Sequence, residues 1–298
     1  MGPYERVVDL VKETLITAST TFREDQYRAY QRAIERETHP ASRWVMETMV
    51  ENARIAAAKR YPLCDDTGIP HLFLEVGAEV AVTGALLNAV REGVAQGQRS
   101  LPTRPMGLLG SDEQRISQSG GVSDDPAAVV PPNMLVKVVP GCQLAVTVLM
   151  LGGGPELRST TRKIFHERSA EKVIREAGRW AAEAASKLGC TPMIPQIGIG
   201  RTHYEATSMM LEAMKEANFD DQSDWEQQVT EMVNDTGSGS LGLRGSVTAL
   251  GSFIKVGPQR ASGQRMVCMR PGCSVDIRRA TVILTAQDLR EKDRSYIV

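Results

Sequence analysis

Residues 168–200 read RSAEKVIREAGRWAAEAASKLGCTPMIPQIGIG, and the change of period within this stretch decides the fold class. Val173, Ile174, Ala177, Trp180, Ala181, Ala184 and Leu188 fall on one stripe of a helix over 168–189, which Gly189 closes. The helix runs directly into PMIPQIGIG, an apolar segment punctuated by Pro and Gly. Outward from there the elements alternate without a regular winding. On the C-terminal side YEATSMMLEAMKEA and DQSDWEQQVTEMVN are helical, the Gly-rich TGSGSLGLRGS follows, and SVTALGSFIKV and ATVILT at 280–285 are strands. On the N-terminal side HLFLEVG at 71–77, MLVKVV at 134–139 and LAVTVLM at 144–150 are extended runs, and Ala81 to Gln98 is helical. Pro140 and Gly141 between the last two runs predict that these pair as a hairpin. The first sixty residues are helical, with Val7, Val8, Val11 and Leu15 on one face and Val45, Met49, Ala53 and Ala56 on another. Pro40 divides this region, Ser42 is read as a helix cap, and Pro62 ends it. With no internal repeat, the order favours an α+β fold over βαβ winding.

Length and composition narrow the function. A chain of 298 residues with 42% hydrophobic and 24% charged residues buries a substantial core and excludes fibrous and unfolded classes. Its 35 Lys and Arg against 36 Asp and Glu leave a formal charge of −1, too little cationic surplus to displace counterions from a nucleic acid. MGPYERVVDLVKETL alternates charged and apolar residues, and no run of apolar residues reaches membrane-spanning length, so neither a signal peptide nor a membrane span is expected. The five cysteines, at 64, 142, 190, 268 and 273, are odd in number and contain no CxxC pair. That disfavours disulfides or a zinc knuckle and suits a reducing cytoplasm.

Cys64, Cys190 and Cys273 each stand beside Gly or Pro, or in a Gly-containing turn, where a thiolate is presented and nearby amides are available to cluster sulfur. Each also reads, alone, as a small buried hydrophobe, and for Cys142 on its strand that reading prevails. Asp65 and Asp66 directly after Cys64 repel one another unless a cation or proton donor compensates, which marks a site; a solvated acidic turn is the alternative. Gly152, Gly153 and Gly154 after a strand permit close backbone approach to a ligand, or simply a tight strand exit. Arg104 heads the polar stretch 99–133, which is either disordered or a functional loop, and its guanidinium suits a carboxylate. GIG at 198–200 is not a dinucleotide fingerprint, because His203 stands at the third glycine position. His71 and His203 lack companions at metal-ligand spacing.

Taken in order, CDDTG, the strand with GGG, GCTP followed by IGIG, and the closing Cys-to-Arg-Arg-Ala segment resemble the α-subunit or α-domain of class I iron–sulfur hydro-lyases. This is the family of oxygen-sensitive class I fumarases and L(+)-tartrate dehydratase, and the similarity runs from about residue 5 to 286. The resemblance implies one α-domain over 1–298, with a helical N-terminal part over 1–62 packed with a mixed β-sheet and a cluster- and substrate-binding part over 63–298. It implies a [4Fe-4S] cluster with one open iron, held by Cys64, Cys190 and Cys273, with Cys268 as rival third ligand. Asp66 matches the family's active-site aspartate; Asp65, Thr67, Arg104, Gly153 and Gly154 match substrate-binding positions.

Two departures bear on the substrate. The family's first motif usually reads CQDTG, so Asp65 replaces a glutamine, and GPQRASGQR at 257–265 lacks the histidine of the fumarase type. The segment after Cys273 is also one residue longer. With the insert around 106–121, these point away from fumarate toward a more hydroxylated, longer or differently charged acid, with Arg260 or Arg265 as extra anion contacts. The reading is the α-subunit of a tartrate dehydratase-like hydro-lyase acting on a small hydroxy-dicarboxylate. A two-subunit class I fumarase and a non-catalytic acid- or partner-binding relative are the alternatives. Because the chain ends at Val298, soon after the α-region, a separate β-subunit carrying the catalytic base is expected, in an αβ or (αβ)2 assembly.

Overall fold

The computed structural model describes residues 4–289 except 67, 103 and 105. In chain order its elements are α1 (Glu5–Thr20), α2 (Glu24–Arg36), α3 (Pro40–Lys59), β1 (Ile69–Gly77), α4 (Gly84–Ser100), α5 (Asp112–Ser117), β2 (Asn133–Val139), β3 (Leu144–Leu151), α6 (Gly153–Glu156), β4 (Thr160–Phe165), α7 (Ala170–Leu188), β5 (Ile194–Gly200), α8 (His203–Glu216), α9 (Asp224–Asn234), β6 (Phe253–Val256), β7 (Gln264–Gly272) and β8 (Arg279–Leu284). The fold is α+β as expected, with two mixed four-stranded sheets rather than one. Among the described residues no helix is long and apolar enough to cross a membrane. Packing divides the chain into two units, one of Met1–Thr21, Ala56–Leu151 and Arg278–Val298, the other of Phe22–Ile55 and Gly152–Ile277.

In the first unit the sheet order is β2-β1-β3-β8. Side chains alternate across it: Leu72, Leu74 and Val76 of β1 stand opposite Val148, Val146 and Leu144 of β3, and all six are buried on the same face. Val7, Val11 and Leu15 of α1 and Leu86, Val90 and Val94 of α4 complete that core. The two helices approach closely because α4 carries glycines one turn apart. A Cβ on Gly93 would lie 2.7 Å from the Val8 carbonyl oxygen, and one on Gly97 would lie 3.0 Å from Leu15.

The predicted β2–β3 hairpin does not form. β1 lies between the two strands, parallel to β2 and antiparallel to β3. The β2–β3 connection must therefore cross the end of β1, a span of about 10 Å, or two strand spacings. Its carbonyls are satisfied there: the amides of Gly77, Ala78 and Glu79 donate to Gln143, Val139 and Gly141. Cys142 sits in this connection and is exposed, not a buried strand residue. In the polar stretch 99–133 the described residues beyond 105 include a short helix and a helical turn at 126–129. Ser111 and Gln114 form a capping box for α5, and Arg99 binds Asp125 in bidentate fashion at 3.0 and 2.8 Å.

In the second unit the sheet order is β4-β7-β5-β6. The helix read over 168–189 is α7, capped by the Ser169 hydroxyl and closed by Gly189 at φ 81°. PMIPQIGIG supplies β5, whose glycines serve packing: a Cβ on Gly198 would fall 2.0 Å from the Ala206 carbonyl oxygen of α8, and one on Gly200 2.5 Å from the Ala206 nitrogen. The helix thus lies directly on the strand backbone. α3 begins at Pro40, suited to the first helical position, and Ser42 lies inside it. It is not a cap. The buried Ser42 hydroxyl instead donates to the Arg244 carbonyl and accepts from the Ser240 amide at 3.1 Å. Glu37, just past α2, accepts from the amides of His39, Ser246 and Val247 at 2.8, 3.1 and 2.9 Å. Burial pushes its carboxyl up, but these backbone donors outweigh burial and hold it below its ordinary value.

Gly198→Ala should destabilise the chain by about 3 kcal/mol, read as a lower midpoint in urea, because backbone atoms must move to admit the methyl. Gly84→Ala, with nothing within 4 Å of its Cβ position, should be neutral or slightly stabilising; equal losses for the two would refute the packing role. Glu37→Gln should cost about 2 kcal/mol at neutral pH. A carboxyl held low stabilises the fold above its unfolded value, near 4.5, and loses that contribution as pH falls through the lower folded value. The gap between variant and parent should therefore shrink on acidification, and a constant gap would mean that the carboxylate charge does not hold the 245–247 loop.

Candidate functional site

In the first unit the loop carrying Cys64 precedes β1 and is anchored by the Leu63 amide, which donates to the Ser19 carbonyl at 2.9 Å. Cys64 is half-buried. Asp65 is exposed and pairs with Arg104 at 3.0 Å, so the loop heading 99–133 is drawn onto the acidic turn. The Asp66 carbonyl accepts from Arg278 Nη1 at 2.7 Å. Gly68 is required at its position, since φ is 94° and a Cβ would meet Arg278 Nη2 at 2.9 Å and the Leu151 carbonyl oxygen at 3.0 Å. Thr67 lies outside the described residues. Arg278, only 1% exposed, is a residue to which the motifs assign no role. The Arg-Arg pair at the start of β8 is its only signal, and nothing in that pattern separates a buried arginine from a surface one.

The second unit holds Cys190 and Cys273 in one corner. Cys190 follows α7 and is exposed; its carbonyl accepts from the Ser274 amide at 3.0 Å. Cys273 follows β7 and is buried. Three side chains of the α2 segment fix the loop after it: Tyr30 donates to the Ser274 carbonyl at 2.6 Å, Gln26 to that of Asp276 at 2.8 Å, and Arg23 to that of Ile277 at 3.2 Å. Beside Cys190, the Thr191 hydroxyl donates to the Gly239 carbonyl at 2.6 Å, which ties the cysteine to the loop held by Ser42 and Glu37.

Beneath this corner lies Arg270, whose side chain is fully buried. Its Nε donates to Glu156, and its Nη1 donates to Gln196 at 2.8 Å and to Asp276 at 2.7 Å. The same Asp276 oxygen accepts from the Cys273 amide at 3.0 Å. Burial works against the Arg270 charge, but Asp276 and Glu156 outweigh it and hold the guanidinium protonated. Glu156 ends α6, the short turn that opens with Gly153 and Gly154. A Cβ on Gly154 would meet only Arg158, at 4.0 Å, so this glycine faces open space. The sequence patterns do not single out Arg270, Asp276, Glu156 or Tyr30.

Cys268 has a different setting. It lies within β7 between Thr161 of β4 and Gly198 of β5, and burial pushes its thiol up although Thr161 and Thr207 donate toward it. It is a packed thiol facing α8, five residues before the Cys273 loop. Cys64 belongs to one unit and Cys190 and Cys273 to the other. Among the described residues no group of three or more His, Cys, Asp or Glu side chains stands ready-made for a metal ion.

Comparison with known proteins gives relatives along nearly the whole chain. A protein provisionally named L(+)-tartrate dehydratase subunit alpha from Methanocaldococcus jannaschii is 25% identical over 258 residues, 84% of this chain and 88% of that protein. L(+)-tartrate dehydratase subunit alpha of Escherichia coli O157:H7 is 23% identical over 301 residues, 98% of this chain and 94% of that subunit. The subunit of the same name from Shigella sonnei is similar to the same extent, 23% over 301 residues. The family model described as fumarate hydratase (Fumerase) matches residues 8–283, which span both units and every cysteine discussed above. The chain therefore belongs to the fumarate hydratase (Fumerase) family.

Proposed function

We propose that this chain is the α-subunit of an iron–sulfur hydro-lyase that reversibly removes water from a small hydroxy-dicarboxylate, in the manner of L(+)-tartrate dehydratase. The observation that carries the reading is the family match over 8–283 on a chain whose Cys190 and Cys273 loops are joined by a backbone hydrogen bond. The names of the relatives favour tartrate over fumarate, as does Asp65 in place of the glutamine usual in the family's first motif.

Cys64, Cys190 and Cys273 are the proposed cluster ligands: all three lie in loops or just past element ends, and their thiolate chemistry suits iron. Cys268 fits less well, since it is packed within a sheet between β4 and β5, away from any turn. When bound, a [4Fe-4S] cluster with one iron free of cysteine supplies Lewis-acid assistance to the departure of hydroxide. The chain's own residues bind and orient. Arg104 offers a guanidinium to a substrate carboxylate, and Asp65 keeps that guanidinium aimed until the substrate competes for it. Asp66, two residues after Cys64 on a loop fixed through its carbonyl by Arg278, is the proposed active-site aspartate. Gly153 and Gly154 let a substrate approach the backbone. Removal of the proton from carbon is assigned to a base on a β-subunit, whose presence the relatives' subunit names support. A reducing cytoplasm suits this thiol set.

Reconstitution with iron and sulfide under anaerobic conditions tests the reading. The unaltered chain, co-produced with its β-subunit, should show the broad visible absorption of thiolate-bound iron; absence of that absorption favours a non-catalytic acid- or partner-binding relative. Cys64→Ser, Cys190→Ser and Cys273→Ser should each lose most of the iron while Cys268→Ser keeps it, and the opposite result for the last two would move the third ligand to Cys268. Steady-state rates on L(+)-tartrate should exceed those on malate. A preference for malate and fumarate would make the pair a two-subunit fumarase, and turnover by this chain alone would remove the need for a β-subunit.

A further inference from the structure

We infer that Arg270 is a positioning residue that sets the Cys273 loop and the Gly153–Glu156 turn with one guanidinium, so that a thiolate ligand and a substrate-facing turn are held as a single piece. The inference rests on the proposed role of Cys273 and goes beyond it, because neither Arg270 nor its partners carry a role in that reading. The geometry has two separable arms. One runs from Nη1 to the Asp276 carboxylate and on to the Cys273 amide, at 2.7 and 3.0 Å. The other runs from Nε to Glu156, the last residue of α6. Gln196 of β5 takes a further hydrogen bond from Nη1 at 2.8 Å and fixes the plane of the guanidinium against the sheet. Arg270 and Asp276 are both fully shielded from solvent, so the arm to the cysteine is not weakened by water, whereas the Glu156 arm ends on a partly exposed carboxylate; a planar donor set is needed to reach all three acceptors.

The test separates the arms in the full chain, co-produced with its β-subunit wherever turnover is read. Glu156→Gln cuts only the arm to the turn, at a side chain that is 34% exposed, and should keep the iron content while raising KM for the dicarboxylate about tenfold with a smaller effect on kcat. Asp276→Asn weakens only the arm to the cysteine, by removing the carboxylate charge. It should speed alkylation of Cys273 by iodoacetamide in the iron-free chain, read peptide by peptide against the exposed Cys142, and should alter the electron paramagnetic resonance of the reduced cluster. Arg270→Lys keeps the charge but lacks the fork, and should show both changes. The inference is overturned if Glu156→Gln leaves KM unchanged, or if Arg270→Lys loads iron with an unaltered spectrum and leaves Cys273 as slow to alkylate as before. Should Asp276→Asn fail to fold, Glu156→Gln decides through the KM and kcat split. Alkylation is read without iron, so failure of the unaltered chain to take up iron removes the proposed function, while the alkylation rates still decide whether the tie to Cys273 exists.

Discussion

A single buried guanidinium carries the corner that matters most. Arg270 is shielded from water, and isolated it would be intolerable there; Asp276 and Glu156 supply the compensating charge and Gln196 a further acceptor. Breaking a buried ion pair by removing one partner costs about 3–5 kcal/mol, a cost that bears on the fully shielded Arg270–Asp276 pair more than on the partly exposed Glu156. The consequence is rigidity at Cys273, the proposed thiolate ligand. Cys273 inherits its place from Asp276, the loop after it is held by Tyr30, Gln26 and Arg23, and Cys190 is joined to it through Ser274.

Elements whose period is set by burial are legible in the sequence. The stripe of α7 and the closing Gly189 stand where side-chain spacing places them, while Ser169, inside the range read as helix, is the cap. β1, β3 and β8 are apolar enough on at least one face to be read directly. Two strands are not. TTRKIF of β4 carries two cations, and QRMVCMRPG of β7 mixes Arg, Cys and Pro into what is an inner strand of its sheet. A buried arginine breaks the apolar signal by which inner strands are recognised, and only its tertiary partners explain it. The order of strands is hidden for a related reason: Pro140 and Gly141 are turn residues, but the turn wraps around the end of β1 instead of closing a hairpin.

The site is legible in its residue types and opaque in its support. Turn positions for Cys64 and Cys190, and the glycine opening before Pro155, follow from local sequence. Ser42, with the side chain of a cap, is a buried link to the Arg244 loop, because Pro40 already starts the helix. The glycines of IGIG, which form no dinucleotide motif, are spacers that seat α8 on β5. Distant hydrogen bonds and close approaches such as these leave no periodic trace along the chain.

The polypeptide passes from one unit to the other after Thr21, Ile55, Leu151 and Ile277. Neither unit is a continuous segment, so no single cut releases one intact and no simple truncation yields an excisable module. Two of the passages fall within a few residues of Gly153 and Cys273. An insertion or nick there would strike the interlaced thread at its most consequential points, whereas the β2–β3 connection around the exposed Cys142 offers a graft point remote in sequence from every crossing but one.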